Sequence, residues 1–326
     1  MPDGLLDGGK TITAAVGLDD EVDYMAAAWT GLALSTQEIN ANTVRETTLK
    51  LTFSDSSICR IEALSYAGVI DELDDFPRFF NNTPVNGVAP NVYGYYIVIK
   101  DLGTGVEEVT LTQTSATDYT ATNGFNGVLD GQGHTLKFQL MKGGLVGLVL
   151  GNAVIKNLRV IYKDASFISQ AEGGGYGVFG YVTNGYPEIR NCYIERTENL
   201  DSRSSVYGIM ARPNGKLILH NTVVYGFNVK NNCSWWSNCW INETSTNAYV
   251  VCGRSNMADL EAMSMSKNFT KVYTNGDGTA NQSRAVSLAD VTDPSGFDDA
   301  YWSKDGSIDW KGAGNSVLYT AVSVAA

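Results

Sequence analysis

The sequence predicts an all-β chain, a right-handed parallel β-helix (a solenoid) with a small N-terminal β-sandwich-like module and a short capping helix. Three observations lead there. First, the pattern aliphatic-x-Asn-x-x-aliphatic returns three times, as Ile155 to Val160, Ile189 to Ile194 and Leu219 to Val224. Its asparagines, Asn157, Asn191 and Asn221, lie 34 and 30 residues apart, and a small residue (Gly147, Gly180, Ala211) precedes each by ten or eleven places. A unit of that size cannot bury its own apolar face and must stack on its neighbours. Second, the repeat cores alternate apolar with polar residues and are rich in β-branched side chains, as in Val154 to Val160, and no long stretch keeps helical spacing. Third, 34 Gly against 7 Pro suits a turn-rich β protein.

A leucine-rich repeat also places Asn beside aliphatics, but it needs a fuller leucine ladder and a period of about 20 to 29 residues. In a stack of β-coils equivalent side chains form columns. Asn157, Asn191 and Asn221 are therefore read as a structural ladder at tight bends, with amides bonding along the axis.

Composition removes several function classes. A formal charge of −12 and the lack of any Lys/Arg run disfavour nucleic acid and anionic bilayers as partners. The longest apolar run, Gly143 to Ile155, is too short for a membrane span, which needs about 20 residues, and reads as one buried coil. Five cysteines (Cys59, Cys192, Cys233, Cys239, Cys252) form no C-x-x-C pair, and His134 and His220 are the only histidines, so neither a metal nor a cofactor is expected. Whether Cys233 and Cys239 form a disulfide is left open. The opening residues, MPDGLLDGGKTITAAVG, have neither a basic nor an apolar signal region and read as lacking a secretory signal.

Three segments are expected: a small β module over 1–65, the β-helix with its N-terminal cap over 66–312, and a tail over 313–326. In the module, Leu49, Leu51 and Phe53 alternate with polar residues, Ser54 to Ser57 supplies a turn, and Ile58 to Leu64 returns as a second strand. In 69–82, Ile70, Leu73, Phe76 and Phe80 approximate a helical face that Pro77 keeps short, suited to capping the open end of a stack. Residues 94–102 read as a first strand and 125–138 as the start of regular coils. Trp302 and Trp310, within 296–312, are expected to cover the last coil as a C-terminal cap.

The strand ending Lys100-Asp101-Leu102, the F-x-G-x-L-D-G-x-G-H-x-L run from Phe125 to Leu136, and Gly144-Leu145-Val146-Gly147 leading to the Asn157 motif resemble bacterial cell-surface right-handed parallel β-helix proteins with GLUG-type repeats, often displayed behind immunoglobulin-like modules. The resemblance covers roughly residues 66 to 312. It departs from the family pattern after residue 200, where Met210-Ala211 replaces the second Gly segment. It implies an immunoglobulin-like module at the N-terminus, an extracellular location and an adhesive role.

Three constellations could carry chemistry. Asp130 and His134 could act as acid and base, but Asp130-Gly131-Gln132-Gly133-His134 demands a tight corner in which both side chains have structural work. Lys156, Arg190 and His220 each immediately precede a repeat Asn and should share one outward column, able to hold an anionic ligand or to be a solvated face; Glu188 and Glu195 are the nearest acids. Third, NNCSWWSNCWIN (231–242) sets Trp235, Trp236 and Trp240 among amides, a composition that suits a glycan platform or a packed loop. No G-x-S-x-G, P-loop, dinucleotide fingerprint, H-E-x-x-H or EF-hand loop is present.

The function expected is a non-enzymatic, surface-displayed β-helix protein used for adhesion or glycan binding. The alternatives are a phage virion structural or receptor-binding protein, and a polysaccharide lyase or glycoside hydrolase on a pectin-lyase-like fold. Partners are a glycan or a surface protein, and an oligomer is left open.

Overall fold

The computed structural model describes residues 9, 11–17, 46–66, 68–80, 94–110, 124–142, 144–166, 178–197, 216–227, 240–241, 246–252, 271–274, 286–288, 291, 293–312 and 321–323. These are mostly strand, with one short α-helix, Asp75–Phe80. A 13-stranded sheet dominates, and its pairings are parallel.

The sheet consists of two ladders. In the first, Gly68–Ile70, Tyr95–Val98, Val128–Asp130, Val154–Lys156, Glu188–Arg190 and the start of Lys216–Phe227 lie side by side. In the second, Glu108–Thr110, Thr135–Lys142, Arg159–Ser166, Tyr193–Arg196, the later part of Lys216–Phe227, Thr246–Cys252 and Lys271–Thr274 do the same. A third, smaller ladder pairs Leu148–Gly151 with Tyr181–Gly185. The register sets like residues on like: Tyr96, Leu129, Ile155, Ile189 and Leu219 form one buried column, and Leu136, Val160, Ile194 and Val224 another. Together with Val146, Val149 and Phe179 they make one core. The alternation in the sequence is what allows this, because a strand buried on one face needs apolar residues at every second position.

Between the two ladders the chain turns at the repeat asparagines. Asn157, Asn191 and Asn221 have φ of 56°, 48° and 47°, the left-handed region that Asn tolerates better than other non-glycine residues. The bend is itself hydrogen-bonded from strand to strand: Asn157 N–H donates to the Arg190 carbonyl and Asn191 N–H to the His220 carbonyl, each at 3.0 Å. The side chains behave less uniformly. Asn157 Nδ2 donates to Asp130 Oδ1 at 3.0 Å, whereas the buried Asn191 Oδ1 has no hydrogen-bond partner. The shared demand is thus on the backbone rather than on a ladder of bonded amides. Asn191→Ala is expected to lose about 1–2 kcal/mol for a β-carbon in the left-handed region, and Asn191→Gly to lose little. Urea melts of the two variants measure the difference, and equal losses would contradict the conformational account.

Register also shows a position that the motif search missed. His220 pairs with Thr246 and Thr222 with Ala248, which sets Asn247 opposite Asn221.

The helix is shorter than its sequence pattern suggested. Ile70 belongs to the first strand of the first ladder, not to a helical face, and the helix begins only at Asp75. Pro77 is tolerated because its missing N–H falls in the first turn, where helical N–H groups have no partner within the helix. Asp75 Oδ2 accepts the N–H groups of Asp71 and Glu72 at 3.0 and 3.2 Å. Phe76 and Phe80 are buried, with the Phe80 ring 5.0 Å from those of both Tyr96 and Phe125, so the helix closes the core beside its first strands.

A separate four-stranded sheet holds Ile12–Gly17, Glu46–Phe53, Ile58–Tyr66 and, in parallel with the last of these, Ala321–Ser323. The hairpin read from the sequence is present, with Ser57 N–H bonded to Asp55 Oδ1 at 3.0 Å. The segment 313–326, expected as a tail, therefore contributes a strand to the sheet nearest the other end of the chain.

Trp302 and Trp310 were expected over the last coil. Instead they join Phe297, Tyr301 and Ile308 in a cluster with Tyr193 and Val223, on the outer face of the second ladder. Trp302 stands 5.0 Å from both Phe297 and Trp310, ring centre to ring centre, in edge-to-face geometry. The apolar residues Tyr193 and Val223 of that face supply the surface that this segment covers.

Candidate functional site

The ionisable residues singled out in the sequence converge on the first ladder and the bend beside it. Asp130 ends its strand and is 1% exposed. Its carboxylate accepts from Gln132 N–H (2.9 Å), Asn157 Nδ2 (3.0 Å) and Tyr95 Oη (2.5 Å), and pairs with Lys156 Nζ at 3.3 Å. Lys156 also lies over the Tyr95 ring, 5.3 Å from its centre. Such a carboxylate is a cornerstone of the bend, with its acceptor capacity engaged.

His134 turns elsewhere. Its Nδ1 is 3.2 Å from Asp101 Oδ1, and the same oxygen accepts Thr135 N–H at 2.8 Å. Asp130 and His134 thus serve different partners across Gly131-Gln132-Gly133, a corner in which Gln132 and Gly133 both have positive φ.

Lys156, Arg190 and His220 occupy one column, since Lys156 pairs with Arg190 and Arg190 with His220 in register. Glu188 lies one column over and binds two of them: Arg190 Nη2 at 2.6 Å and His220 Nε2 at 2.9 Å. The His220 pKa is lowered from its ordinary value. Partial burial is the main cause, and Arg190 opposes the proton that Glu188 attracts. On the second ladder Arg159 pairs with the buried Glu195 at 3.1 Å and lies over the Tyr193 ring. The sequence could not reveal the pairs of Glu188 with His220 and of Arg159 with Glu195, because those partners come from different repeats, whereas Glu188 and Arg190 stand two residues apart on one strand.

Trp235 and Trp236 lie outside the described residues, as do Cys233 and Cys239. Trp240 opens a two-residue strand that pairs in parallel with Lys216–Leu217. Among the described residues no group of three His, Cys, Asp or Glu is placed to hold a metal ion. None of their helices is long and apolar enough to cross a membrane.

Cys192 follows the Asn191 bend and points into the core, fully buried, with its thiol pushed up to about 12 by desolvation. Thr222 holds the equivalent place and makes equivalent bonds. Cys192 Sγ reaches the carbonyls of Arg190 (3.2 Å) and Ile155 (3.7 Å), as Thr222 Oγ1 reaches those of His220 (2.8 Å) and Ile189 (3.3 Å). Cys192→Thr is expected to cost less than about 1.5 kcal/mol by thermal melt, because shape and bonds are kept. A larger loss would show that the two sites are not equivalent.

The comparisons leave this geometry to speak for itself: no family model matches the chain, and no curated protein and no solved structure matches it.

Proposed function

We propose that the stacked ladders form a right-handed parallel β-helix, and that the protein is a non-enzymatic scaffold displayed outside a bacterial cell or on a virion. It resembles in this the GLUG-type surface proteins, and it holds out segments between its strands for a glycan or a surface protein. The observation that carries the reading is the use made of the charged side chains: Asp130 with Lys156, Glu188 with His220, and Arg159 with Glu195 join residues of neighbouring strands, and Glu188 also holds Arg190 of its own strand. Groups that could have moved protons are committed to bonds that tie the stack together, as suits a stiff support.

The segment whose composition best suits recognition is 231–242, which lies in sequence between the strands Lys216–Phe227 and Thr246–Cys252. Its tryptophans offer flat apolar rings for pyranose faces, and its Asn and Ser side chains offer partners for hydroxyls. Titration of the full chain with neutral and acidic oligosaccharides, followed by tryptophan fluorescence, is expected to give a saturable change that Trp236→Ala abolishes. Fluorescence unmoved by every glycan would overturn the glycan reading.

A further inference from the structure

Strand direction decides how the small four-stranded sheet carries a pull. Ile12–Gly17 runs antiparallel to Glu46–Phe53, which runs antiparallel to Ile58–Tyr66, and Ala321–Ser323 runs parallel to the last of these. Ile12–Gly17 and Ala321–Ser323, the two edge strands, therefore point the same way. Register fixes their ends. Ile12 pairs with Phe53 and Thr52 with Ile58, so Ile12 stands level with the start of Ile58–Tyr66, whereas Ser323 pairs with Tyr66 at its finish. The strand between those levels has 9 residues. At about 3.3 Å each they put the start of the first edge strand and the end of the last roughly 30 Å apart, at opposite ends of the sheet.

Between these strands in sequence lies the stack. Gly68–Ile70, which opens the first ladder, follows almost directly on Ile58–Tyr66. At the other side, Phe297, Trp302 and Trp310 hold the chain to Tyr193 and Val223 of the second ladder before Ala321–Ser323 joins the sheet. The sheet thus closes a loop of chain that contains the two ladders and their core.

We infer that the small sheet is a mechanical clamp: tension drawn between the start of Ile12–Gly17 and the end of Ala321–Ser323 passes through it as shear, and the stack lies outside the load path. A pull at these two points drags the edge strands along their own length in opposite directions. The backbone bonds of a strand pair then bear the load together, whereas a pull at one end of a pair opens its bonds one after another. Ala321–Ser323 is joined by three residue pairs and Ile12–Gly17 by five, so the pairing of Leu64–Tyr66 with Ala321–Ser323 gives way first. Only then does the stack come under tension. The inference goes beyond the scaffold reading and stands whether the displayed segments meet a glycan or a protein, because backbone pairing alone carries it.

Single-molecule force spectroscopy of the full chain tests it, with handles attached before Ile12 and after Ser323. The expected record is a rupture that precedes any lengthening of the stack, followed by release of up to about 900 Å, from roughly 250 residues at about 3.5 Å each. Lengthening of the stack ahead of that rupture would overturn the load path. Moving the first handle to position 46 by Glu46→Cys sets both handles at one end of the sheet, since Glu46 pairs with Leu64 and Ser323 with Tyr66. The same contact is then peeled rather than sheared. Its rupture force is expected to fall by about two- to threefold, because three pairs part singly instead of together. Equal forces in the two geometries would overturn the shear assignment. A chain ending at residue 320 is expected to lose the first rupture and to lengthen from the onset of tension. A first rupture that survives there would overturn the role given to Ala321–Ser323.

Discussion

Gly180→Ala is expected to be the most damaging single substitution in the described core, with a loss of about 4 kcal/mol or more. A β-carbon there would stand 1.5 Å from the Val146 carbonyl oxygen, and φ at Gly180 is +109°. The first number is near a covalent bond length, so the backbone must move, and with it the pairing of Tyr181 with Leu148 in the third ladder. Gly306 separates clash from conformation. It too has positive φ, +75°, but nothing lies within 4 Å of its would-be β-carbon. Gly306→Ala is expected to cost about 1–2 kcal/mol, the penalty for the left-handed region alone. Urea melts of both variants make the comparison, and equal losses would mean that close approach at Gly180 is not the controlling factor.

Asp130→Ala comes next, with an expected loss of about 3–5 kcal/mol, as for breaking a buried ion pair. It removes the acceptor of Tyr95, Asn157 and the Gln132 N–H together, and strips Lys156 of its counter-charge. Asp130→Asn keeps an oxygen for the amide donors and loses only the charge and one acceptor, so a smaller loss is expected. Equilibrium unfolding in urea measures both. A loss for Asp130→Ala within about 1 kcal/mol, the range of exposed pairs, would contradict its place as the anchor of the bend.

Much of this fold was legible in the sequence, for a physical reason. A tight bend in the left-handed region admits few residue types, so Asn157, Asn191 and Asn221 mark it even where strand sequences drift. Asn247 escaped notice because Ser245 stands where the other repeats have Ile or Leu, and only register recovers it. Ile70 misled for the opposite reason: its spacing from Leu73 and Phe76 copies a helical face, but pairing of Gly68–Ile70 with Tyr96–Val98 outweighs local pattern. The indoles of Trp302 and Trp310 announced burial but not the surface they bury against, since that depends on which outer face carries Tyr193 and Val223. The ionic column could be read as a column from its place before each Asn. The pairing of Lys156 with Asp130 and of His220 with Glu188 could not, because it joins different repeats.

The pairing of Leu64–Tyr66 with Ala321–Ser323 sets the order in which the molecule can be finished during synthesis. Strands of the stack find their partners within one repeat, so each can dock as it leaves the ribosome, at low loop-closure cost. The small sheet is different. Its last edge waits for Ala321–Ser323, made after every strand of the stack, and until they arrive the strand Ile58–Tyr66 has the intervening chain as its tether. Emergence of Ala321–Ser323 is thus a long-range step that follows the stack, and a chain interrupted before it leaves that edge uncovered while the stack is already built.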